Sequence, residues 1–266
     1  MNPTISRWRA DGQMVGVTLL AAAGWVFSKE SLAGMPPLLF IGSRFLLAGL
    51  LLGIIGWRQV RVVDLPSAQR AVGVGILFAV AMAFWVMGLA HASHLGEGAF
   101  ISSLGAVLVP VLGSLFFGDR APPTIWLALP VALLGLALLS LQNGFRTEPG
   151  QLYFLAAAFA FALVFIANSH AVRRMSVLVL GAVQLSMVGI LLLPLSWLLE
   201  DWPAQIAPAV AGWFLASVLL GTTARFLLQL DAQKIIAPAH AALILMLEPV
   251  WTALLVGLLG IPGVAL

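Results

Sequence analysis

Glu248 and Pro249 stand side by side inside Ala237–Gly260, APAHAALILMLEPVWTALLVGLLG, a run otherwise apolar and long enough to cross a bilayer. A carboxyl group at bilayer depth costs about 2.5–3.5 kcal/mol on insertion scales. The proline removes an intrahelical hydrogen bond and is expected to kink the helix. Two adjacent penalties call for compensation nearby. A carboxyl lining a cavity at this depth can bind and release a proton, and that is the chemistry the pair offers.

Two cations share the same environment. At 1.5 Å per residue, Glu248 lies roughly 15 Å deep, Arg44 roughly 12 Å and Lys29 roughly 9 Å from the nearer ends of their apolar segments. Lining a cavity, Arg44 and Lys29 would hold anionic parts of a solute. The structural alternative has Lys29 snorkelling to the surface beside Glu30, with Glu248 a hydrogen-bonded packing residue. Arg225 and Asp231 are six residues apart, so they fall on different helix faces and are not expected to pair; Asp231 is expected to be solvated.

Uncharged candidates complete the set. Gln229 and Gln233 are four apart and share a face, suited to a ligand or to a neighbouring helix. Gln184 is a further candidate for the cavity wall. Trp25, Trp85 and Trp251 sit away from the expected interfacial bands, where they would form aromatic walls for an organic solute or pack as core or lipid-facing rings. Ser102 and Ser103 would contact solute or bond back to their own helix, and Gly105 and Gly113 would permit close backbone approach. His91, His94 and Glu97 form HxxHxxE, but no further ligand accompanies them, and a polar helix–loop junction is expected instead of a metal site. No Walker loop is present and no cofactor is expected. The acids stand singly rather than in the close pairs of hydrolases.

The elements that must position these groups follow from composition. The 266 residues are 62% hydrophobic and only 9% charged, with a mean hydropathy of +1.08, whereas a soluble domain carries about 25% charged residues. The fold class is therefore all-α and polytopic in a membrane. With no cysteine there is neither disulfide nor thiolate metal site. The net charge of +3 is spread over segment flanks, which excludes a nucleic-acid patch. After a polar tail at 1–13, apolar segments recur at 14–34, 37–57, 71–90, 97–117, 124–141, 152–172, 177–199, 209–230 and 238–259.

With the N-terminus inside, cytoplasmic connections hold Arg7, Arg9, Arg58, Arg61, Arg70, Arg120, Arg173, Arg174 and Lys234, against Arg146 alone outside. That asymmetry predicts a cytoplasmic N-terminus. Trp57, Trp126, Trp197, Trp202 and Trp213 fall near segment ends, as interfacial belts require. The chain also repeats itself. A shift of 143 overlays Ala99–Phe116 on Ala242–Leu259, and a shift of 140 lays Phe45, Gly49 and Trp57 on Leu185, Gly189 and Trp197. A unit of five helices is odd in number, so the second copy, 146–266, crosses the membrane in the opposite sense to the first, 14–145.

The runs KESLAGMPPLLFIGSRFLLAGLLL (29–52), GLAHASHLGEGAFISSLGAVLVPVLGSLFFGDR (88–120) and FLLQLDAQKIIAPAHAALILMLEPVWTALL (226–255) resemble EamA-type permeases of the drug/metabolite transporter superfamily. The resemblance covers residues 14 to 260, and Lys29, Arg44, Gln184, Gln229, Gln233, Glu248 and Pro249 occupy its recurrent motif positions. It implies ten helices in two inverted five-helix halves around a central cavity. About nine are expected here, since the chain ends at Leu266 where a tenth would follow. It further implies a bacterial inner-membrane permease exporting a small organic solute by alternating access. The expected partners are the lipid bilayer, that solute, a proton as candidate coupling ion and a second copy of the chain as candidate dimer partner. A membrane-embedded enzyme at the His91/His94/Glu97 cluster and a non-transporting assembly subunit are the alternatives.

Overall fold

The computed structural model describes residues 3–91, 95–119 and 149–259, with scattered positions between 123 and 134. Every regular element among them is helical: α1 (Pro3–Leu32), α2 (Pro37–Ile55), α3 (Leu65–His91), α4 (Leu95–Phe117), α5 (Pro149–Ala171), α6 (Val177–Leu199), α7 (Pro208–Gln233), α8 (Pro238–Leu245) and α9 (Glu248–Leu259), with one turn at Trp57–Val60. α2, α5, α6 and α7, with Arg7–Leu32 of α1 and Leu65–Gly88 of α3, are long and apolar enough to cross a membrane, so the protein is a multi-pass membrane protein. Within the polar tail expected at 1–13, the described residues are helical from Pro3 and continuous with α1. The apolar segment expected at 124–141 lies mostly outside the described residues, as do Arg120, Trp126 and Arg146.

The helix starts are chemically legible. Proline in the first turn opens α2, α7 and α8, where its missing N–H has no intrahelical partner to lose. Ser176 Oγ accepts from Leu178 N at 3.2 Å to cap α6. α2 has no cap of its own. Glu200, just past α6, supplies one: its carboxylate accepts Leu38 N at 2.7 Å and Leu39 N at 2.8 Å, and Ser196 Oγ donates to it at 2.7 Å. An anion at a helix N-terminus meets both its free N–H groups and its dipole. Glu200→Ala is expected to lower stability by about 1–2 kcal/mol, read as a drop in melting temperature of the purified protein.

Asp64 does the same for α3 from an exposed position, accepting Ser67 N at 3.1 Å. The hydrogen bonds from Ser67 hold its carboxyl below the ordinary aspartate value. A lowered folded value means that the contribution is complete at neutral pH and is lost as pH falls through that lowered value. The melting difference between the protein and Asp64→Asn should therefore be present at pH 7 and shrink as pH falls below the ordinary aspartate value of about 3.9.

The packing has a symmetry. α2 packs on α6 and α4 on α8. α3 packs on α5 and α1 on α7; α4 packs on α5 and α1 on α8 and α9; α3 packs on α6 and α2 on the middle of α7. Exchanging α1 with α5, α2 with α6, α3 with α7, and α4 with α8–α9 maps this set of pairs onto itself. The two halves are thus related by an approximate twofold with α2·α6 on its axis.

Glycines that the 140-residue shift superimposes make that central crossing close. A Cβ on Gly49 would lie 2.5 Å from Ser186 N, and one on Gly189 would lie 2.7 Å from Gly42 O. Beside the crossing, Phe45 of α2, Phe78 of α3, Phe161 of α5 and Phe226 of α7 form edge-on and tilted ring contacts at 5.3–6.2 Å. This aromatic cluster joins both halves next to Arg44.

Candidate functional site

The run carrying Glu248 is broken, not kinked. α8 ends at Leu245, Met246 and Leu247 form a turn, and α9 begins at Glu248. The turn tightens to three-residue spacing, with Met246 N donating to Leu243 O at 3.2 Å and Leu247 N to Ile244 O at 3.0 Å. Pro249 has no N–H to continue the ladder, and the helix restarts around it. By comparison Pro110 and Pro194 lie inside α4 and α6 without interrupting them.

The half-buried Glu248 therefore stands in the first turn of a half-helix. Trp25 Nε1 of α1 donates to its Oε1 at 3.0 Å, and the Trp25 ring lies 6.0 Å from Trp85 of α3. The counterpart of Glu248 in the first half, Gly105, instead lies against the Ala158 backbone of α5: its Cβ would be 3.0 Å from Ala158 O. Equivalent interfaces thus carry backbone packing in one half and a carboxylate in the other.

Arg44 of α2 reaches across to two other helices. Its Nη1 donates to Ser28 Oγ of α1 at 2.9 Å, its Nη2 to Gly221 O of α7 at 3.1 Å, and its Nε to Thr222 Oγ1. The rings of Phe40 and Phe45 flank the guanidinium at 5.6 and 5.8 Å. Gly24 and Gly221 face each other there; a Cβ on Gly221 would lie 3.2 Å from Arg44 Nη2 and 3.4 Å from Gly24 Cα.

The receiving part of α7 is a π-helix, Ser217–Ala224. Thr222 and Thr223 hydroxyls donate five residues back, to Ser217 O at 3.0 Å and Val218 O at 2.8 Å, which stabilises the widened turn. Such insertions frequently mark functional positions in helices. Arg225 follows it, about one turn beyond the Gly221 carbonyl that Arg44 holds, and its Nε is buried without a partner. Trp25 and Ser28 are three apart on α1, so the Glu248 and Arg44 groups lie about one turn, roughly 5 Å, from each other along that helix.

The remaining candidates sit elsewhere in the helices. Gln184 is fully buried in α6 with neither amide atom bonded. Gln229 is buried with Oε1 unpartnered, and Gln233 Nε2 approaches Phe165 O of α5 at 3.5 Å. Lys29 is half-buried in the last turn of α1. Ser102 Oγ and Trp251 Nε1 have no partner. The side chains of Ser103 and Pro249 lie outside the described residues, as do those of His94 and Glu97; His91 is exposed, its Nδ1 2.9 Å from Met87 O.

Asp231 is solvated as anticipated, its side chain 43% exposed, and it also has partners. Gln13 Nε2 donates to it at 3.2 Å and Lys234 Nζ lies 3.6 Å away, because α7 packs along α1. These groups belong to the end of the bundle that also carries Gln59 and Arg174, the basic end. A cavity of about 380 Å³ opens there, lined among others by Gln13, Gln59, Ser176, Asp231 and Lys234. At the opposite end Glu200 seals α2 to α6, and Gly34, in the turn after α1, packs on Val210 of α7, where a Cβ would lie 3.0 Å from Val210 Cγ2.

Three features escaped sequence reasoning: the π-helix, the placement of Arg225 about one turn beyond the carbonyl that Arg44 holds, and the cap from Glu200. The first left a trace, since Gly221-Thr222-Thr223 is a cluster of small and hydroxylated residues within an apolar run.

The profile of the EamA-like transporter family matches twice, over residues 8–141 and 148–260. The chain belongs to the EamA-like transporter family. An uncharacterized transporter of Bacillus subtilis (strain 168), YvbV, is 26% identical over 210 residues, covering 77% of this chain and 68% of that protein. A solved crystal structure shares the fold with a TM-score of 0.73 at 20% identity, covering 96% of this chain and 90% of its own. The two family matches agree with the exchange symmetry of the helix packing, so the EamA-like protein is a membrane transporter of two inverted repeats.

Proposed function

We propose that the EamA-like protein is a secondary permease of the bacterial inner membrane that exports a small organic solute. The observation that carries this is the convergence, about one turn of α1 apart, of a carboxylate at a helix break and an arginine held by three neutral groups. Discontinuous helices near the midplane are how inverted-repeat transporters build solute and ion sites. Trp25 and Trp85 supply the apolar wall, and Glu248 carries the coupling proton. With the N-terminus cytoplasmic, the basic end with its cavity faces the cell interior. Arg44 ties α1, α2 and α7 together on the other side. Export then requires that latch to break as the basic end closes.

The test is efflux from proteoliposomes loaded with a whole-cell metabolite extract and read by mass spectrometry. A small subset of solutes should leave faster than from protein-free vesicles. Identical efflux from both would refute the transporter assignment.

A further inference from the structure

At the basic end three acids stand beside bases, whereas at this site they do not. At the basic end Asp231 pairs with Lys234, Asp11 with His240 and Asp119 with His170. Inside the bundle Glu248 is bonded to a tryptophan, while neither Arg44 nor Arg225 forms an ion pair among the described residues. Uncompensated cations at membrane depth are costly and mark the path of a charged ligand. All three hydrogen bonds of Arg44 go to neutral acceptors, and Arg225 Nε has no acceptor. A buried donor without a partner loses the full cost of its desolvation.

Resting on the transporter reading, we infer that the solute is an organic anion whose carboxylate or phosphate group is received between Arg44 and Arg225. A guanidinium binds an oxyanion about twice as strongly as a neutral acceptor and can do so with two parallel hydrogen bonds. The anion therefore displaces Ser28, Thr222 and the Gly221 carbonyl as partners of Arg44. Gly24 and Gly221 pack against each other beside the guanidinium, so the anion enters as α1 and α7 separate. The apolar part of the solute then meets Phe40, Phe45 and the Trp25–Trp85 pair. Because the displaced bonds are the ones that tie α1 and α7 to α2, arrival of the anion loosens the latch, and only a loaded site opens.

The experiment uses the full-length protein in vesicles loaded with metabolite extract, with benzoate, phenyl phosphate and benzamide as competitors. The solutes released should carry a carboxylate or a phosphate. Benzoate or phenyl phosphate should inhibit their efflux, the stronger of the two naming the group, and the uncharged benzamide should not. Arg225→Gln should reduce efflux about tenfold or more, whereas Arg225→Lys should keep a substantial part of it. Melting curves without solute identify any variant that fails to fold. In that event Arg44→Lys, which keeps the charge but loses the fork, must show the reduced efflux. Release of neutral or cationic solutes, or undiminished efflux from Arg225→Gln, would overturn the anion site and leave the transporter standing. No release by the wild-type protein would refute both.

Discussion

Glu248→Gln should lower proton-driven flux about tenfold or more and remove its dependence on the pH gradient. The loss corresponds to one charge-assisted interaction, about 1.5–3 kcal/mol. Glutamine is nearly isosteric and its carbonyl still accepts from Trp25 Nε1, so the break between α8 and α9 is kept. What disappears is the titratable proton. Melting temperature should therefore change little while coupling is lost, which separates a transport role from a packing role. If Glu248 only packs, Glu248→Gln will retain gradient-driven flux. Trp25→Phe supplies the complementary case: it keeps the ring beside Trp85 but removes the donor, and should impair flux less than Glu248→Gln.

The second large effect concerns the central crossing. In an isolated helix Gly→Ala is stabilising by about 0.8–1 kcal/mol. Gly53 of α2 has only Ala182 Cβ near it, at 3.9 Å from an added Cβ, so Gly53→Ala should follow that rule and raise the melting temperature slightly. One turn away, an added Cβ on Gly49 would meet Ser186 N at 2.5 Å, a backbone atom that cannot rotate aside. Gly49→Ala should reverse the sign and cost about 1–3 kcal/mol, and Gly189→Leu on α6 should cost more, preventing recovery of folded protein. Opposite signs four residues apart on one helix would be the signature of close α2·α6 packing. Equal responses would show that the two helices do not approach this closely.

Much of the fold was legible because membrane helices announce themselves. A nonpolar segment of about 20 residues has few structural options in lipid. The 140-residue shift also had a physical reason: Gly49 packs on Ser186 and Gly189 on Gly42 and Leu46 where the two halves cross, so both must lack a side chain. The site was legible as a set of depths but not as a set of contacts. Glu248, Arg44, Trp25 and Trp85 were each recognisable as polar or aromatic groups out of place. Their pairing depends on how α1 runs between α7 and α9, which no local pattern encodes. Sequence spacing set Arg225 against Asp231 alone; the π-helix and the packing of α2 on α7 place it about one turn from the carbonyl that Arg44 holds. The break at Met246-Leu247 likewise exceeded the kink expected, since Pro110 and Pro194 show that proline alone does not end a helix here.

Alternating access around the Glu248–Arg44 site is the central claim, and the absence of native cysteine makes it directly measurable. Single cysteines at Gln13, which lines the basic-end cavity, and at Val210, packed on Gly34 at the other end, can be alkylated from either side of oriented vesicles. Modification of Gln13→Cys should be fast and that of Val210→Cys slow at rest. Under an imposed solute gradient the two should change reciprocally, one slowing as the other quickens. Rates that rise together, or that ignore the gradient, would contradict alternating access.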